Sequence, residues 1–294
     1  MKKRQLGSSE LFVSEMGLGC MSLGTDEKEA NYIIKSALDH GVNYFDTADL
    51  YDFGVNEEFV GKALKSVRDE VIVATKVGNK WVDGKDGWIW DASKAYIKEA
   101  VKKSLLRLQT NYIDLYQLHG GTMEDNHEEV IEGFEELRKE GLIRYYGISS
   151  IRPNVIQSFA SQSNIISVMM QYSLLDRRPE EWLSILNEHQ ISMIARGPIA
   201  KGILTEKTLD KSSISIQENG FLDYSYNQLE SLLLSLKDHF STQRSIQEVA
   251  FQYILSCDVV GSVIPGASNA AQVIDNIKAV QAKPLTDEEL QFLR

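Results

Sequence analysis

Short apolar segments rich in β-branched residues alternate with longer amphipathic segments along the whole chain. Strands that alternate with amphipathic helices in this way are typical of βα units that build a parallel sheet. The stretches between the apolar segments, such as residues 28–40 and 93–108, repeat apolar side chains with the period of a helix. Eight segments are predicted to be strands, at residues 16–20, 42–46, 71–76, 113–119, 143–149, 165–171, 191–196 and 259–265.

Signals for helix ends agree with this division. Ser93 and Thr286 stand where a helix amino terminus needs a capping oxygen, and Gly41 and Gly141 stand where a left-handed residue ends a helix. No linker rich in Pro, Gly or Ser interrupts the eight units. Residues 1–294 are therefore predicted to form one domain of the α/β class, a single (β/α)8 TIM barrel with long βα loops at its C-terminal face.

An open doubly wound sheet is the alternative fold. Residues 17–22, after the first strand, read Gly-Leu-Gly-Cys-Met-Ser and lack the third glycine of a G-x-G-x-x-G motif. The sequence therefore favours the closed barrel.

Charge and cysteine content narrow the function classes. The 294 residues include 31 Lys and Arg against 42 Asp and Glu, a net charge of −11 that repels nucleic acids and anionic membrane surfaces. The two cysteines, Cys20 and Cys257, form no CxxC pair, and no apolar leader core follows the charged residues 1–5. No uncharged stretch reaches the ~18 residues of a membrane span, so we expect a cytoplasmic protein without nucleic-acid or membrane partners.

Two segments are too long for compact βα loops, residues 78–91 and residues 204–226. Barrels of this kind carry their sites on such loops. The first segment contains three of the four tryptophans, Trp81, Trp88 and Trp90. They are predicted to form an aromatic wall of a substrate pocket, and the alternative is that they only cover the top of the barrel.

Four polar residues stand at or just beyond the ends of consecutive strands: Asp46, Tyr51, Lys76 and His119. Each alone is typical of a turn, a packing position or a solvated side chain. Consecutive strands are neighbours in a barrel, so the four side chains are expected to converge. A tyrosine has a reference pKa near 10, and a close ammonium lowers that pKa. Lys76 can provide the ammonium, Asp46 can hold it charged, and His119 can orient a carbonyl oxygen.

Four segments, in this order and spacing, resemble the aldo-keto reductase superfamily, including its bacterial NADP(H)-dependent members. They are NYFDTADLY at 43–51, ATK at 74–76, DLYQLH at 114–119 and IPGA at 264–267, and the resemblance covers essentially the whole chain. It implies a (β/α)8 barrel that binds NADP(H) without a Rossmann motif. It also implies a catalytic tetrad, whose roles fall on Asp46, Tyr51, Lys76 and His119.

The resemblance implies a cofactor site with some departures. Ser149 matches the family, whereas Ser150 replaces an Asn that usually binds the nicotinamide carboxamide. Met169 stands where the family often has Gln, and Gln171 on the same strand face can substitute, an alternative that stays open. Arg196 replaces an aromatic ring and is expected to face the cofactor, where it can either stack on the nicotinamide ring or reach the phosphates. Further cofactor-facing positions are Gly19, Cys20, Met21, Asp46, Gly197, Pro198, Ile199, Lys201 and Gly202.

The adenosine end of the cofactor is implied by five residues: Gly266, Ser268, Gln272, Asp275 and Asn276. Many family members carry Arg or Lys in this stretch to pair with the 2′-phosphate, but residues 262–277 contain neither. The expected cofactor is NADP(H), with NAD(H) possible.

These features predict a reductase that acts on small aldehydes or ketones, with Tyr51 as general acid. The first alternative is a cofactor-sensing binding protein with little turnover on the same scaffold. The second is a metal-dependent hydrolase, which is disfavoured because only His119 of five histidines falls at a strand end. No metal site is predicted, and the physiological substrate and the oligomeric state stay open.

Overall fold

The computed structural model describes residues 1–81, 87–240 and 242–294. Its strands are β1 (Lys3–Gln5), β2 (Phe12–Ser14), β3 (Leu18–Gly19), β4 (Tyr44–Asp46), β5 (Ile72–Val77), β6 (Asn79–Lys80), β7 (Ile89–Trp90), β8 (Ile113–Leu118), β9 (Ile143–Ser149), β10 (Ser167–Gln171), β11 (Ser192–Arg196) and β12 (Val260–Ile264). Its helices are α1 (Glu27–Asp39), α2 (Val55–Leu64), α3 (Lys94–Leu108), α4 (His127–Lys139), α5 (Pro153–Gln162), α6 (Leu183–Glu188), α7 (Ile214–Asn219), α8 (Tyr226–Phe240), α9 (Ile246–Leu255), α10 (Ala270–Val280) and α11 (Asp287–Leu293).

Eight parallel strands form the barrel, in the order β3-β4-β5-β8-β9-β10-β11-β12. The first and last strands close it, since Gly17 N donates to Val263 O at 2.9 Å and Gly19 N donates to Pro265 O at 3.1 Å. The predicted (β/α)8 barrel is thereby confirmed. All eight predicted strands are present, and the first is shorter than predicted because only Leu18 and Gly19 pair with β4.

The helix ends form as their side chains predict. Ser93 accepts a hydrogen bond from Tyr96 N at the start of α3, and Thr286 forms a reciprocal capping box with Glu289 at the start of α11. Gly41 and Gly141 have φ values of 84° and 74°, the left-handed conformation that ends a helix at little cost for glycine.

A hairpin of β1 and β2 closes the barrel at the amino ends of its strands, and the sequence pattern did not predict it. Strands β1 and β2 pair antiparallel, and their register joins Lys3 to Ser14. The hairpin's apolar side chains belong to the same buried cluster as residues inside the barrel. This cluster comprises Leu6, Leu11, Val13, Tyr44, Ile72, Ala74, Leu115, Ile166, Met169, Ile194 and Ile264.

The two long loops carry short elements of their own. The loop at residues 78–91 contains the β6–β7 hairpin, and its residues 82–86 lie outside the described part of the chain. The loop at residues 204–226 contains α7. Over the described residues, we found no helix with the length and apolar character that crossing a membrane requires.

Candidate active site

A cavity of about 1540 Å³ opens at the carboxyl ends of the barrel strands. The last or next-to-last residues of six strands line it: Asp46, Lys76, Ser149, Gln171, Arg196 and Ile264. Side chains that are far apart in sequence therefore face one space, as expected at this face of a (β/α)8 barrel.

Lys76 is the centre of the polar groups in this cavity. Its Nζ lies 2.5 Å from Asp46 Oδ1 and donates to Thr47 O at 2.7 Å and to Tyr51 Oη at 3.3 Å. The side chains of Lys76 and Asp46 are 1% and 5% exposed. An ammonium has three protons, and here each has an acceptor.

Burial alone would lower the pKa of Lys76, but the Asp46 carboxylate and the Tyr51 hydroxyl outweigh burial and raise it. Lys76 therefore stays an ammonium over the physiological pH range. Burial raises the pKa of Asp46, and Lys76 and Gln117 oppose this rise.

Gln117 belongs to this centre, and the sequence reading missed it. It is fully buried opposite Lys76 in the β5–β8 register, and its Nε2 donates to Asp46 Oδ2 at 3.1 Å. Each oxygen of Asp46 thus holds one donor. The available signal was strand periodicity, because Gln117 lies two residues before His119 and therefore faces the same side.

Tyr51 follows β4 on a tight turn. The next three residues, Asp52, Phe53 and Gly54, have φ values of 47°, 50° and 92°. A side chain at Gly54 would place its Cβ 2.7 Å from Cδ of Arg107, so glycine is required both for this φ and for this contact. Arg107 is itself held by an ion pair with the buried Glu57 at 2.6 Å. The turn that presents Tyr51 is therefore braced by a buried salt bridge.

His119 stands edge-on to the Tyr51 ring, with 5.9 Å between ring centroids. Burial, followed by the positive charges of Lys76 and Arg196, lowers the pKa of His119 to about 3. The imidazole is therefore neutral at physiological pH. Its Nδ1 is buried and has no hydrogen-bond partner among the described residues.

Three further side chains line the cavity, those of Met169, Gln171 and Arg196. Arg196 donates to Gln171 Oε1 at 3.0 Å, and Gln171 Nε2 donates to the buried Asp176 at 3.0 Å. A carboxylate only accepts and a guanidinium only donates, so the orientation of the Gln171 amide is fixed. Met169 and Gln171 both line the cavity, as their shared strand face requires.

The turn at residues 197–202 lines the cavity over its full length. Gly197 and Gly202 have φ values of 66° and 90°, and Ala200 and Lys201 are also left-handed, at 46° and 57°. Within the turn, Ala200 N donates to Gly197 O and Gly202 N donates to Ile199 O. Left-handed turns of this kind direct their other N–H groups toward an anion.

The far end of the cavity is formed by α10 and the start of α9. Gly266, Gln272, Asp275 and Asn276 line it. Asn276 Oδ1 accepts from Gln247 Nε2 at 2.7 Å, while the Nδ2 of Asn276 is buried without a partner among the described residues. Unpaired buried polar atoms at both ends, Nδ1 of His119 and Nδ2 of Asn276, fit a long ligand with polar groups such as a dinucleotide.

Several predicted site residues do not reach the cavity. Cys20 is fully buried, and its Sγ–H donates to Leu18 O at 3.6 Å. Ser150 is 6% exposed, and its Oγ accepts from Arg152 N at 3.2 Å. The Oγ of Ser268 donates to Gln272 Oε1 at 3.2 Å. Each of these side chains forms a hydrogen bond with another residue of the protein and is absent from the cavity lining.

The predicted aromatic wall is smaller than expected. Trp88 lines the cavity and is 52% exposed. Trp90 packs over Gly78, where a Cβ would lie 2.5 Å from its ring, and its Nε1 donates to Asp125 at 2.8 Å. Trp81 lies against the Phe53 ring, 5.8 Å away. Only one of the three tryptophans therefore faces the cavity.

Across residues 1–81, 87–240 and 242–294, no group of three or more His, Cys, Asp or Glu side chains is arranged to hold a metal ion.

Comparison with known proteins identifies the fold and the family. The model of the aldo/keto reductase family matches residues 15–294. The chain is 58% identical over 294 residues to the uncharacterized oxidoreductase YqkF of Bacillus subtilis, covering 100% of this chain and 96% of that protein. The holo form of aldo-keto reductase AKR11C1 from Bacillus halodurans superimposes with a TM-score of 0.94 at 58% identity, covering 100% of this chain and 95% of that one. The apo form of the same protein gives a TM-score of 0.86 at 55% identity, with the same coverage.

Proposed function

The chain belongs to the aldo/keto reductase family, and from that membership and the geometry of the cavity we propose that it reduces aldehydes or ketones to alcohols with NADP(H). The family consists of oxidoreductases that use nicotinamide cofactors. NAD(H) is the alternative cofactor. We propose a cytoplasmic enzyme whose one domain spans residues 1–294.

The cofactor would lie along the whole cavity. Its nicotinamide end would meet Ser149, Gln171 and Arg196, its pyrophosphate the turn at residues 197–202, and its adenosine end Gln272 and Asn276. When bound, the reduced cofactor supplies a hydride for the carbonyl carbon. The chain's own side chains donate the proton and orient the carbonyl oxygen that receives it.

Tyr51 is the proposed proton donor. Its oxygen accepts a hydrogen bond from Lys76 at 3.3 Å, so the hydroxyl proton is free to point toward a carbonyl oxygen in the cavity. As that oxygen gains negative charge, Tyr51 transfers its proton and the O–H bond of the tyrosine breaks. The Lys76 ammonium stabilises the tyrosinate, and Asp46 compensates the charge of Lys76.

His119 is the proposed orienting residue. Since its pKa is lowered to about 3, it acts as a neutral imidazole and does not compete with Tyr51 as an acid at physiological pH. It can donate one hydrogen bond to a carbonyl oxygen and so direct that oxygen toward Tyr51.

One observation carries the proposal: a single buried ammonium joins Asp46 at 2.5 Å to Tyr51 at 3.3 Å inside a cavity that a carbonyl compound can enter. The proposed substrates, aldehydes and ketones, form a broad class. Trp88 gives the cavity an apolar side, which suits an aromatic or aliphatic aldehyde.

The test is oxidation of NADPH and NADH with a panel of aldehydes, ketones and dicarbonyls. We expect Tyr51→Phe to lower carbonyl-dependent turnover by about 10²- to 10⁴-fold while cofactor binding persists. Tyr145→Phe is the matched control, because Tyr145 accepts from Glu10 N at 3.1 Å at the opposite end of the barrel. It should retain parental turnover.

Two outcomes would contradict the proposal. Full turnover by Tyr51→Phe would remove Tyr51 from the role of acid. Tight cofactor binding by the parent without turnover of any carbonyl would favour a nucleotide-sensing protein on the same scaffold.

A further inference from the structure

Trp90 packs against the backbone just beyond the ends of two barrel strands, β5 and β8. A Cβ at Gly78 would lie 2.5 Å from the Trp90 ring, and a Cβ at Gly120 would lie 3.4 Å from it. Gly120 directly follows His119, and Gly78 stands two residues after Lys76. Trp90 itself is half-buried and absent from the cavity lining. Its ring therefore covers the backbone that carries two of the four site residues.

The backbone under this ring is held by few restraints of its own. Gly78 and Gly120 have φ values of 128° and 138°, which residues with a Cβ rarely adopt. Glycine also has more conformational freedom than any other residue. His119 N donates to Val77 O at 2.7 Å, so the two strand ends are bonded to each other next to these glycines. A side chain that packs on both glycines restrains both strand ends together.

Trp90 is held in place by a side chain of the loop that follows His119. Its Nε1 donates to Asp125 Oδ1 at 2.8 Å, and Asp125 Oδ2 accepts from Thr122 N at 2.6 Å. The main chain of Trp90 is fixed as well, because it pairs with Asn79 in the β6–β7 hairpin. The indole therefore links the hairpin after β5 to the loop after β8.

The orientation of the His119 ring depends on this packing more than on hydrogen bonds. Its buried Nδ1 has no hydrogen-bond partner among the described residues, although a buried histidine is often oriented by a bond on Nδ1. The ring meets Tyr51 only edge-on, with 5.9 Å between the ring centroids. The direction of the imidazole therefore follows the backbone at His119 and Gly120.

We propose that Trp90, held by Asp125, is a positioning residue that sets where His119 orients the carbonyl oxygen of the substrate. This inference rests on the proposed function. A hydrogen-bond donor must be accurately placed to direct that oxygen toward Tyr51, and a misplacement of about 1 Å can cost about 10²-fold in rate. Trp90 touches neither substrate nor cofactor in this role and acts through the backbone at Gly120.

The experiment is a double-mutant cycle on kcat/KM for the carbonyl compound that the parent reduces fastest. Trp90→Leu keeps an apolar side chain but removes the ring over the two glycines, and it should lower kcat/KM by about tenfold. In a His119→Ala background the same substitution should change kcat/KM by less than about twofold, because the residue through which it acts is gone. The dissociation constant of Trp90→Leu for NADP⁺ should stay within about twofold of the parent.

Asp125→Ala tests the same role without changing the indole. It removes the acceptor of Trp90 Nε1 and should lower kcat/KM by about threefold, again only when His119 is present. This second variant decides between the outcomes if Trp90→Leu does not fold.

Two other tryptophans provide matched controls. Trp182 precedes α6 and is absent from the lining of the large cavity, so Trp182→Leu should leave kcat/KM unchanged. Trp88 lines the cavity directly, so Trp88→Leu should change kcat/KM by a similar factor with and without His119.

Two outcomes would overturn the positioning role. Equal losses from Trp90→Leu in both backgrounds would mean that Trp90 acts on another group, such as Lys76. Parental kcat/KM in both Trp90→Leu and Asp125→Ala would reduce the pair to a structural contact. Failure of the proposed function is distinguishable from these, because the parent would then reduce no carbonyl compound, or His119→Ala would keep parental kcat/KM. In either case the positioning role is rejected with it.

Discussion

The two ends of the barrel differ in how their buried polar groups are hydrogen-bonded. At the closed end, Ser14 and Asn43 bond each other's backbone, with Ser14 N donating to Asn43 Oδ1 at 2.7 Å and Asn43 N donating to Ser14 Oγ at 3.1 Å. At the open end, Asp46, Lys76 and Gln117 bond one another through their side chains. Hydrogen bonds between side chains and the backbone specify the fold, whereas a network of side chains alone can be rearranged by a ligand or a proton.

This contrast teaches that burial has a different purpose at each end. At the closed end, Leu6, Leu11 and Val13 exclude water around an apolar cluster. At the open end, burial keeps a pair of charges in a low-dielectric setting, where each partner depends strongly on the other. Substitutions should therefore separate stability from activity, and the following four are ordered by the size of the expected effect.

Lys76→Met should have the largest effect. It leaves the Asp46 carboxylate buried without its cation, so we expect a loss of about 3–5 kcal/mol in the free energy of unfolding together with loss of turnover. The double variant Asp46→Asn/Lys76→Met removes both charges and should recover much of the stability but none of the turnover. Urea unfolding and NADPH oxidation measure the two quantities. Parental turnover in the double variant would contradict the role of this pair.

Leu11→Ala tests the closed end. Leu11 is 2% exposed, and its truncation should leave a cavity and lower the free energy of unfolding by about 2–5 kcal/mol. The dissociation constant for NADP⁺ and the turnover number at 25 °C should stay within about twofold of the parent. A large loss of turnover in the folded variant would mean that the two ends are coupled.

Gln117→Leu tests the side-chain network of the open end. Gln117 stabilises ionised Asp46, so removing its donor should raise the pKa of Asp46 further. Asp46 would then be protonated at a higher pH, and the acidic limb of the kcat/KM profile should move to higher pH. Ser167→Ala is the control, because Ser167 is equally buried and bonds none of these groups. An unchanged limb in Gln117→Leu would reduce Gln117 to a packing residue.

The smallest effect concerns His119. With its pKa lowered to about 3, this imidazole should show no titration between pH 5 and 8 by NMR, compared with the spectrum of His119→Asn. In the unfolded chain the histidine takes up a proton below about pH 6.5. The free energy of unfolding should therefore decrease as the pH falls below 6.5, less so in His119→Asn. A His119 signal that titrates near 6.5 would show a solvated ring.

The sequence predicted the barrel well because the periodicity of a strand or a helix depends only on residues that are close together in the sequence. The segment 143–149 forms β9 over its whole predicted length, and Ser93 and Thr286 cap the helices that they were expected to cap. The β1–β2 hairpin escaped prediction because each strand has only three residues, and because its packing partners are spread along the chain from Tyr44 to Ile264.

The candidate site was less predictable, since strand ends reveal position and not orientation. Asp46, Tyr51, Lys76 and His119 share the cavity that their order along the chain suggested. Trp90 and Cys20 occupy comparable positions, but their hydrogen bonds to Asp125 and Leu18 direct them elsewhere. Such choices depend on neighbours that only the folded chain supplies.

The hairpin at the closed end has a consequence for synthesis. Arg4 donates to Leu255 O at 2.9 Å and to Val260 O at 3.0 Å, and Ser262 Oγ donates to Ser14 O at 2.9 Å. A ribosome makes the hairpin about 250 residues before these hydrogen-bond partners. These hydrogen bonds of the hairpin therefore form only after α9 and β12 have been synthesised.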